Sequence, residues 1–314
     1  MDRQEAIRLL NEDIRDEHGA IILYLRTAYA LGEGEVAAEI EGIAREEMRH
    51  FKWLSEEVVR LGGTPTTERA EVGTAETDPV ALMRLAVASE KDAADNYEAH
   101  AAAMDEPRLA GLLRRIAVDE RAHRRDFEGL LAKVESAPAA AEEEAAAGET
   151  SAAEAEPLQE HIALEYTTLL QYLQQSFLTP HCALSKDLLD QAIVEMTHMG
   201  WLAEHVAESG ATPRLEHGEL AVNSDPEQIL QTNIAVEAEV EEAYRRQLAT
   251  TEDSELREIL QRILDHSEYH ETHFQELLAA LQEQRKAAAA EAPEAPPRPG
   301  LGWTVGSLFG RKQE

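Results

Sequence analysis

Near the start of the chain apolar residues recur at intervals of three or four: Ile7, Leu10, Ile14, Ile21, Tyr24, Ala28 and Leu31, with Glu17 filling the one wider gap. That period belongs to a helix with one buried face. A second stripe, Ile40, Ile43, Leu54, Val58 and Leu61, is interrupted by Glu47 and His50. A third, Met83, Val87, Ala94 and Tyr97, contains Glu90, and a fourth, Leu109, Leu113, Ile116, Phe127, Leu130 and Val134, contains Glu120 and His123. The pattern predicts four amphipathic helices, each pointing one or two ionisable groups into a core. Gly32-Glu33-Gly34 and Asp105-Glu106-Pro107 are joints short enough for antiparallel neighbours. The middle connection, Gly62 to Thr77, has 16 residues. Extended, it reaches about 50 Å at ~3.3 Å per residue, whereas a helix of about 25 residues is only ~37 Å long. The chain can therefore cross the full length of the bundle, which makes the second and third helices parallel.

The whole arrangement is then repeated. Glu47-Met48-Arg49-His50-Phe51-Lys52-Trp53-Leu54 is echoed by Glu195-Met196-Thr197-His198-Met199-Gly200-Trp201-Leu202 at an offset of 148. Thr64-Pro65 matches Thr212-Pro213, and Glu17 to Tyr24 matches Glu165 to Tyr172, at the same offset. After the next loop the offset is 147: Asp78-Pro79 pairs with Asp225-Pro226, Glu90 to Tyr97 with Glu237 to Tyr244, and His123 to Phe127 with His270 to Phe274. One constant offset broken by a single deletion is the mark of tandem duplication. The organisation expected is a bundle over 1–135, a linker over 136–156, a second bundle over 157–284, an Ala/Pro-rich linker over 285–300 and a tail over 301–314. Ser136 to Glu156 is nearly all Ala and Glu, without apolar periodicity, and reads as a solvated linker. Ala287 to Gly300 contains Pro293, Pro296, Pro297 and Pro299 and reads as an extended spacer.

Glu-x-x-His places a carboxylate and an imidazole on one helix face, where they can grip one ion. One glutamate from each of two helices with Glu-x-x-His from the other two resembles the ferritin-like dimetal-carboxylate family, near bacterioferritin and rubrerythrin. The resemblance implies an all-α fold of two tandem four-helix bundles, each with one long crossover. In the first copy the ligand set is complete: Glu17, Glu47, His50, Glu90, Glu120 and His123. Four buried carboxylates without partners would cost several kcal/mol each. Two divalent ions would cancel their charge, with the lone glutamates bridging or capping. Iron suits such mixed ligands, two ions per complete site, and so do manganese and zinc.

The second copy matches at Glu165, Glu195, His198, Glu237 and His270, but Ser267 stands where Glu120 stands in the first. Its third stripe reads Leu230, Ile234, Glu237, Glu241, Tyr244 and Leu248, so Glu241 occupies the position of Ala94. Two readings stand: Glu241 restores the lost carboxylate, with His266 as a further donor, or the copy is degenerate and holds one metal or none. Tyr24, Tyr97, Tyr172 and Tyr244 each follow a ligand glutamate by seven residues. Core packing is expected of them, with hydrogen bonding to a ligand or electron transfer as the other reading. Met48 and Met196 fall where bacterioferritins carry a haem-ligating methionine. Core packing is again the expectation, and no haem is expected.

Composition narrows the partners. Lys+Arg 29 against Asp+Glu 62 leaves a net charge of −33, which excludes nucleic acid and anionic membranes as targets and favours cations. Cys182, the single cysteine, excludes disulfide frameworks, iron–sulfur clusters and the four-cysteine module of a full rubrerythrin. The first residues lack the apolar run of a secretion signal, and the uncharged stretch Tyr166 to Ser185 is broken by Gln171, Gln174, Gln175 and Pro180. A cytoplasmic protein is expected.

In the tail, Trp303, Val305 and Leu308 sit among Gly302, Gly306 and Gly310, so the segment should be extended and bury its side chains in another protein's groove. Thr304-Val305-Gly306-Ser307-Leu308 resembles the cargo-loading peptide of encapsulin nanocompartments, and Trp303 to Leu308 are the residues this resemblance assigns to docking on the shell protein. Taken together, the resemblances imply an encapsulin cargo that oxidises Fe(II) with O2 or peroxide for iron storage, with the shell rather than self-assembly supplying the container, although a homo-oligomer is compatible. A peroxide-scavenging dimetal enzyme of rubrerythrin or manganese-catalase type, a dimetal oxygenase on an organic substrate, and a non-catalytic iron-binding cargo are the alternatives.

Overall fold

A computed structural model describes residues 1–32, 34–71, 76–136 and 152–291, with side chains for all of these except 152–155 and 288–291. Eight α-helices account for the described secondary structure: α1 Arg3–Leu31, α2 Glu35–Arg60, α3 Pro79–Ala103, α4 Pro107–Ser136, α5 Ala152–Leu178, α6 Cys182–Glu208, α7 Pro226–Leu248 and α8 Ser254–Glu291. Helix starts follow local chemistry. Asp78 accepts a hydrogen bond from Ala81 N, and Asp225 accepts from Glu227 N and Gln228 N, each ahead of a proline at the first helical position. Helix ends follow it too: Gly62 and Gly210, at φ of 76° and 80°, terminate α2 and α6 in the left-handed region. The amide of the next residue bonds back to Val58 O in one copy and Val206 O in the other.

Within each bundle α1 pairs with α2 and α3 with α4, and α5 with α6 and α7 with α8. Tyr24 of α1 donates to Glu90 of α3, while Tyr97 of α3 donates to Glu17 of α1. Two such reciprocal bonds require α1 and α3 to run antiparallel. With α1 and α2 also antiparallel, α2 and α3 are parallel, as the long connection demands. That connection is clamped to its bundle by one side-chain amide. Asn11 donates to Thr64 O and accepts from Thr66 N, and Gln159, 148 residues on, does the same with Thr212 O and Arg214 N.

Two boundaries differ from the sequence expectation. The helix α5 begins at Ala152 and takes in Pro157, and α8 runs on through Ala287 to Glu291, since Ala and Glu favour helix until Pro293 approaches. Most of the 136–156 linker, the proline-rich spacer beyond 291 and the 301–314 tail lie outside the described residues. No described helix is long and apolar enough to cross a membrane.

Two apolar cores each draw residues from both bundles, which are joined where α1 meets α6 and α2 meets α5. At this seam His18 faces Tyr166, its own counterpart at offset 148. Nδ1 of His18 lies 3.3 Å from the Glu68 carbonyl, which can only accept, so that nitrogen carries the proton and Nε2 accepts from the tyrosine hydroxyl. Burial holds His18 down to about 4, so the ring is neutral. Arg69 reaches across to Leu215 O and to Glu216 at 2.7 Å, and Gln174 to Pro65 O at 3.1 Å. A largely apolar cavity of about 280 Å³ opens along the seam, lined from one bundle by Met48 and Phe51 and from the other by Met196 and Leu170. Met48 and Met196 therefore face this cavity instead of packing inside their own bundles, because the second-helix face beside the Glu-x-x-His face is turned toward the neighbouring bundle.

Leu54 and its counterpart Leu202 are both fully buried. Leu54→Ala and Leu202→Ala should each destabilise the protein by about 2–5 kcal/mol. Urea unfolding followed by circular dichroism checks this, and a cost below 1 kcal/mol at either position would contradict the equivalence of the two cores.

Candidate metal centre

The interruptions in the helical stripes converge. Glu17, Glu47, His50, Glu90, Glu120 and His123 are between 0% and 4% exposed and come from α1, α2, α3 and α4. Their ligand atoms form two groups, Glu17, Glu47, His50 and Glu120, and Glu47, Glu90, Glu120 and His123, with all ligand atoms of a group within 4.8 Å of one another. Glu47 and Glu120 belong to both. The shared carboxylates are thus the two of the Glu-x-x-His pairs, while Glu17 and Glu90, the lone glutamates, each belong to one group.

Both imidazoles turn Nδ1 inward. His50 Nδ1 lies 2.8 Å from Glu47 and 2.9 Å from Glu120, and His123 Nδ1 lies 2.8 Å from Glu47. Their outer nitrogens face carboxylates: His50 Nε2 is 3.5 Å from Asp119, and His123 Nε2 is 3.1 Å from Glu46. A carboxylate behind an imidazole fixes its tautomer and strengthens it as a ligand. The four tyrosines do more than pack. Tyr24 donates to Glu90 at 2.6 Å and Tyr172 to Glu237 at 2.5 Å, and Tyr97 and Tyr244 donate to Glu17 and Glu165. Burial, then the adjacent carboxylate, holds each phenol well above its ordinary value, so each stays a donor.

Electrostatics in the centre are set by crowding. Burial raises Glu17, and the charges of Glu47 and Glu120 raise it further. Glu90 is driven up by burial and by Glu47. Burial pushes Glu47 the same way, but hydrogen bonds from His123 and His50 outweigh it and hold this carboxyl well below the usual range. Burial opposes the charge on His123, yet Glu120 and Glu47 hold it up to about 11. The cluster thus stores protons where it could store cations, and a pair of divalent ions would satisfy four carboxylates with matching charge.

The second bundle brings five residues together: Glu165, Glu195 and His198, and Glu195, Glu237 and His270, with Glu195 shared. Ser267, 1% exposed, occupies the fourth place, and its hydroxyl has no hydrogen-bond partner. Glu241 is not brought into either group, so of the two readings the grouping does not support compensation by Glu241. Its Oε2 accepts from Arg245 at 2.6 Å, one turn along α7. The reason lies in an inverted ion pair. In bundle 1 Arg121 of α4 donates to Glu98 of α3 at 2.7 Å, whereas in bundle 2 Arg245 of α7 donates to Glu268 of α8 at 2.7 Å. The reversal puts an arginine within reach of Glu241, which bonds Arg245 and not the centre. His266 also stands outside the two groups, behind the centre, where its Nδ1 lies 2.8 Å from His198 Nε2. It replaces Asp119, and Val194 replaces Glu46, so both carboxylates behind the imidazoles are gone in the second copy.

Buried carboxylates shared between paired groups, each group with one imidazole, define a helical-bundle protein with a candidate dimetal centre. A family model for the ferritin-like domain matches residues 7–137 and again 155–283, and the chain belongs to that family, in two tandem copies. A bacterioferritin of Desulfovibrio desulfuricans is 37% identical over 82 residues, which are 25% of this chain and 46% of that protein. The chain thus spans about half the length of this curated relative. A crystal structure of the bacterioferritin of that organism, described with a diiron site, matches 48% of this chain and 94% of its own with a TM-score of 0.41 at 21% identity.

Two outcomes check the geometry. Metal binding must displace the protons that the surrounding carboxylates hold on His50, His123, His198 and His270, so divalent-ion affinity should rise with pH through the neutral range in both bundles. Calorimetric titration in two buffers of different ionisation enthalpy reads the protons released, and a pH-independent affinity would contradict the arrangement. Ser267→Glu should increase the ions held by bundle 2, while Glu241→Ala should leave their number unchanged, as counted by elemental analysis of the dialysed protein.

Proposed function

We propose that bundle 1 oxidises Fe(II) to Fe(III) at a di-iron centre and that the chain does so as cargo of an encapsulin shell in the cytoplasm. One observation carries the first part: two four-residue groups share Glu47 and Glu120, an arrangement suited to two adjacent ions. Iron is the substrate. Two Fe(II) give up one electron each. O2 takes both electrons with two protons and leaves hydrogen peroxide, whereas peroxide as oxidant takes them with two protons and leaves two waters. Glu47 and Glu120 join the two positions, Glu17 with His50 and Glu90 with His123 complete them, and the hydroxyls of Tyr97 and Tyr24 keep Glu17 and Glu90 from swinging away. Carboxylate ligands favour the higher charge of Fe(III), and the acidic surface of a chain with net charge −33 favours the approach of cations. Membership of the ferritin-like family and the similarity to a bacterioferritin support this reading.

The cargo role rests on the tail, which lies outside the described residues. Trp303 and Val305 alternate, so an extended chain shows both on one side, and Gly306 and Ser307 are small enough to let Leu308 turn to the same groove. Each large side chain buried in a preformed groove contributes about 1.5–3 kcal/mol. Many copies facing many identical shell sites gain further through effective concentration.

Glu47→Ala should lose most aerobic Fe(II) oxidation, followed by absorbance, with helical content retained. Oxidation at the parental rate would place the chemistry elsewhere, and rapid peroxide turnover without lasting iron oxide would mark a peroxide scavenger instead. Deleting 301–314 should leave folding and iron oxidation intact and abolish co-purification with a co-expressed encapsulin shell. Normal loading of the truncated chain would overturn the cargo assignment.

A further inference from the structure

Between α1 and α3 of bundle 1 lies a cavity of about 290 Å³ whose lining includes both Glu17 and Glu120. It therefore reaches the buried ligands from the side. Asp16 and Asp92 line it as exposed residues, and Asp13 lines it as a buried one. Asp13 is 3% exposed; its Oδ1 is held by His100 Nδ1 at 2.8 Å, while its Oδ2 has no hydrogen-bond partner. A buried carboxylate oxygen left free of partners is costly unless something polar visits it. From solvent to centre the carboxylates thus form a series: two exposed, one buried with an oxygen to spare, then the ligands. The space equals several waters at about 30 Å³ each, enough for a partly hydrated ion.

The duplication supplies a comparison within the same chain. At the corresponding positions of bundle 2, Asp13 is His161, Asp16 is Leu164, Ser89 is Val236, Ala93 is Val240 and Asn96 is Ala243. The His161 ring stacks on Tyr244 with centroids 4.4 Å apart, Val240 is 4% exposed, and Val236 packs against the core. Asp92 keeps an acidic counterpart, Glu239, so the other five positions are the ones that distinguish the copies.

We propose that the α1–α3 cavity is the route by which divalent cations reach the bundle 1 centre, with Asp16 and Asp92 capturing the ion and Asp13 passing it to Glu17, and that bundle 2, where His161, Leu164, Val236 and Val240 stand along the same route, exchanges its ions far more slowly. The inference rests on the reading of the clusters as metal centres. One centre is thereby built for traffic and the other for retention.

The test follows anaerobic uptake of Co(II), used as a probe, by the full-length protein through its visible absorbance in a stopped-flow instrument. A fast and a slow phase are expected. Asp16→Leu with Ser89→Val should slow the fast phase by about tenfold or more, the scale of lost electrostatic focusing, without changing the final number of ions per chain. Asp16→Asn with Asp92→Asn, both on the surface, should slow it with weaker dependence on salt. Leu164→Asp with Val236→Ser should accelerate the slow phase. Uptake at the parental rate in both bundle 1 variants overturns the route. Absence of Co(II) binding in the parental chain overturns the metal centres themselves, and amplitude therefore separates that failure from a failure in rate.

Discussion

Everything in bundle 1 is arranged around the burial of four carboxylates and two imidazoles in one water-poor volume. Such a cluster cannot sit there with all its acids charged and unpaired, because each buried ion loses several kcal/mol of hydration. In the absence of cations the histidines take up protons and Glu17 and Glu90 are driven toward their neutral forms. That state leaves polar atoms such as Glu90 Oε2 without hydrogen bonds. A pair of divalent ions would answer charge and coordination at once. The long crossover, the parallel second and third helices and the reciprocal tyrosine bonds are what bring four separate helices to deliver their groups to one point.

Duplication relaxed that constraint in one copy. Loss of the carboxylate at Ser267 removes one charge, and the surroundings of bundle 2 have changed with it. His266 and Val194 stand where Asp119 and Glu46 back the imidazoles of bundle 1, and His161 and Leu164 stand where Asp13 and Asp16 lie. These substitutions all lower the negative charge around the second centre. Meanwhile Tyr172 and Tyr244 still bond Glu237 and Glu165, and the Asn11 clamp survives as Gln159. The frame has been kept while the electrostatics have diverged.

The seam between the bundles shows the same division of labour. A symmetric dimer would bring identical residues together, but a fused pair is free to make them complementary. His18 and Tyr166 occupy equivalent positions and form a directed hydrogen bond that two histidines or two tyrosines would make less well. Arg69 reaches Glu216 from one side only. Fusion thus turns one self-complementary face into two different faces that fit each other.

The stripes, the crossover, the tandem repeat and the six residues that converge in bundle 1 were legible from the chain itself. Helical period and Glu-x-x-His spacing are local properties: a residue three places on lies on the same face whatever the rest of the molecule does. Other features needed the rotation and register of one helix against another, which no single stripe encodes. Glu241 sits in its stripe like a ligand, yet it bonds Arg245 of the reversed Arg245–Glu268 pair and not the centre. Whether Glu17 or Glu47 is shared between two ion positions depends on how far each helix reaches toward the axis. The tyrosines and methionines carried apolar character in the sequence, and only packing across helices showed the first bonding glutamates and the second facing the neighbouring bundle. Sequence spacing determined which groups go inward; tertiary geometry decided which of them meet.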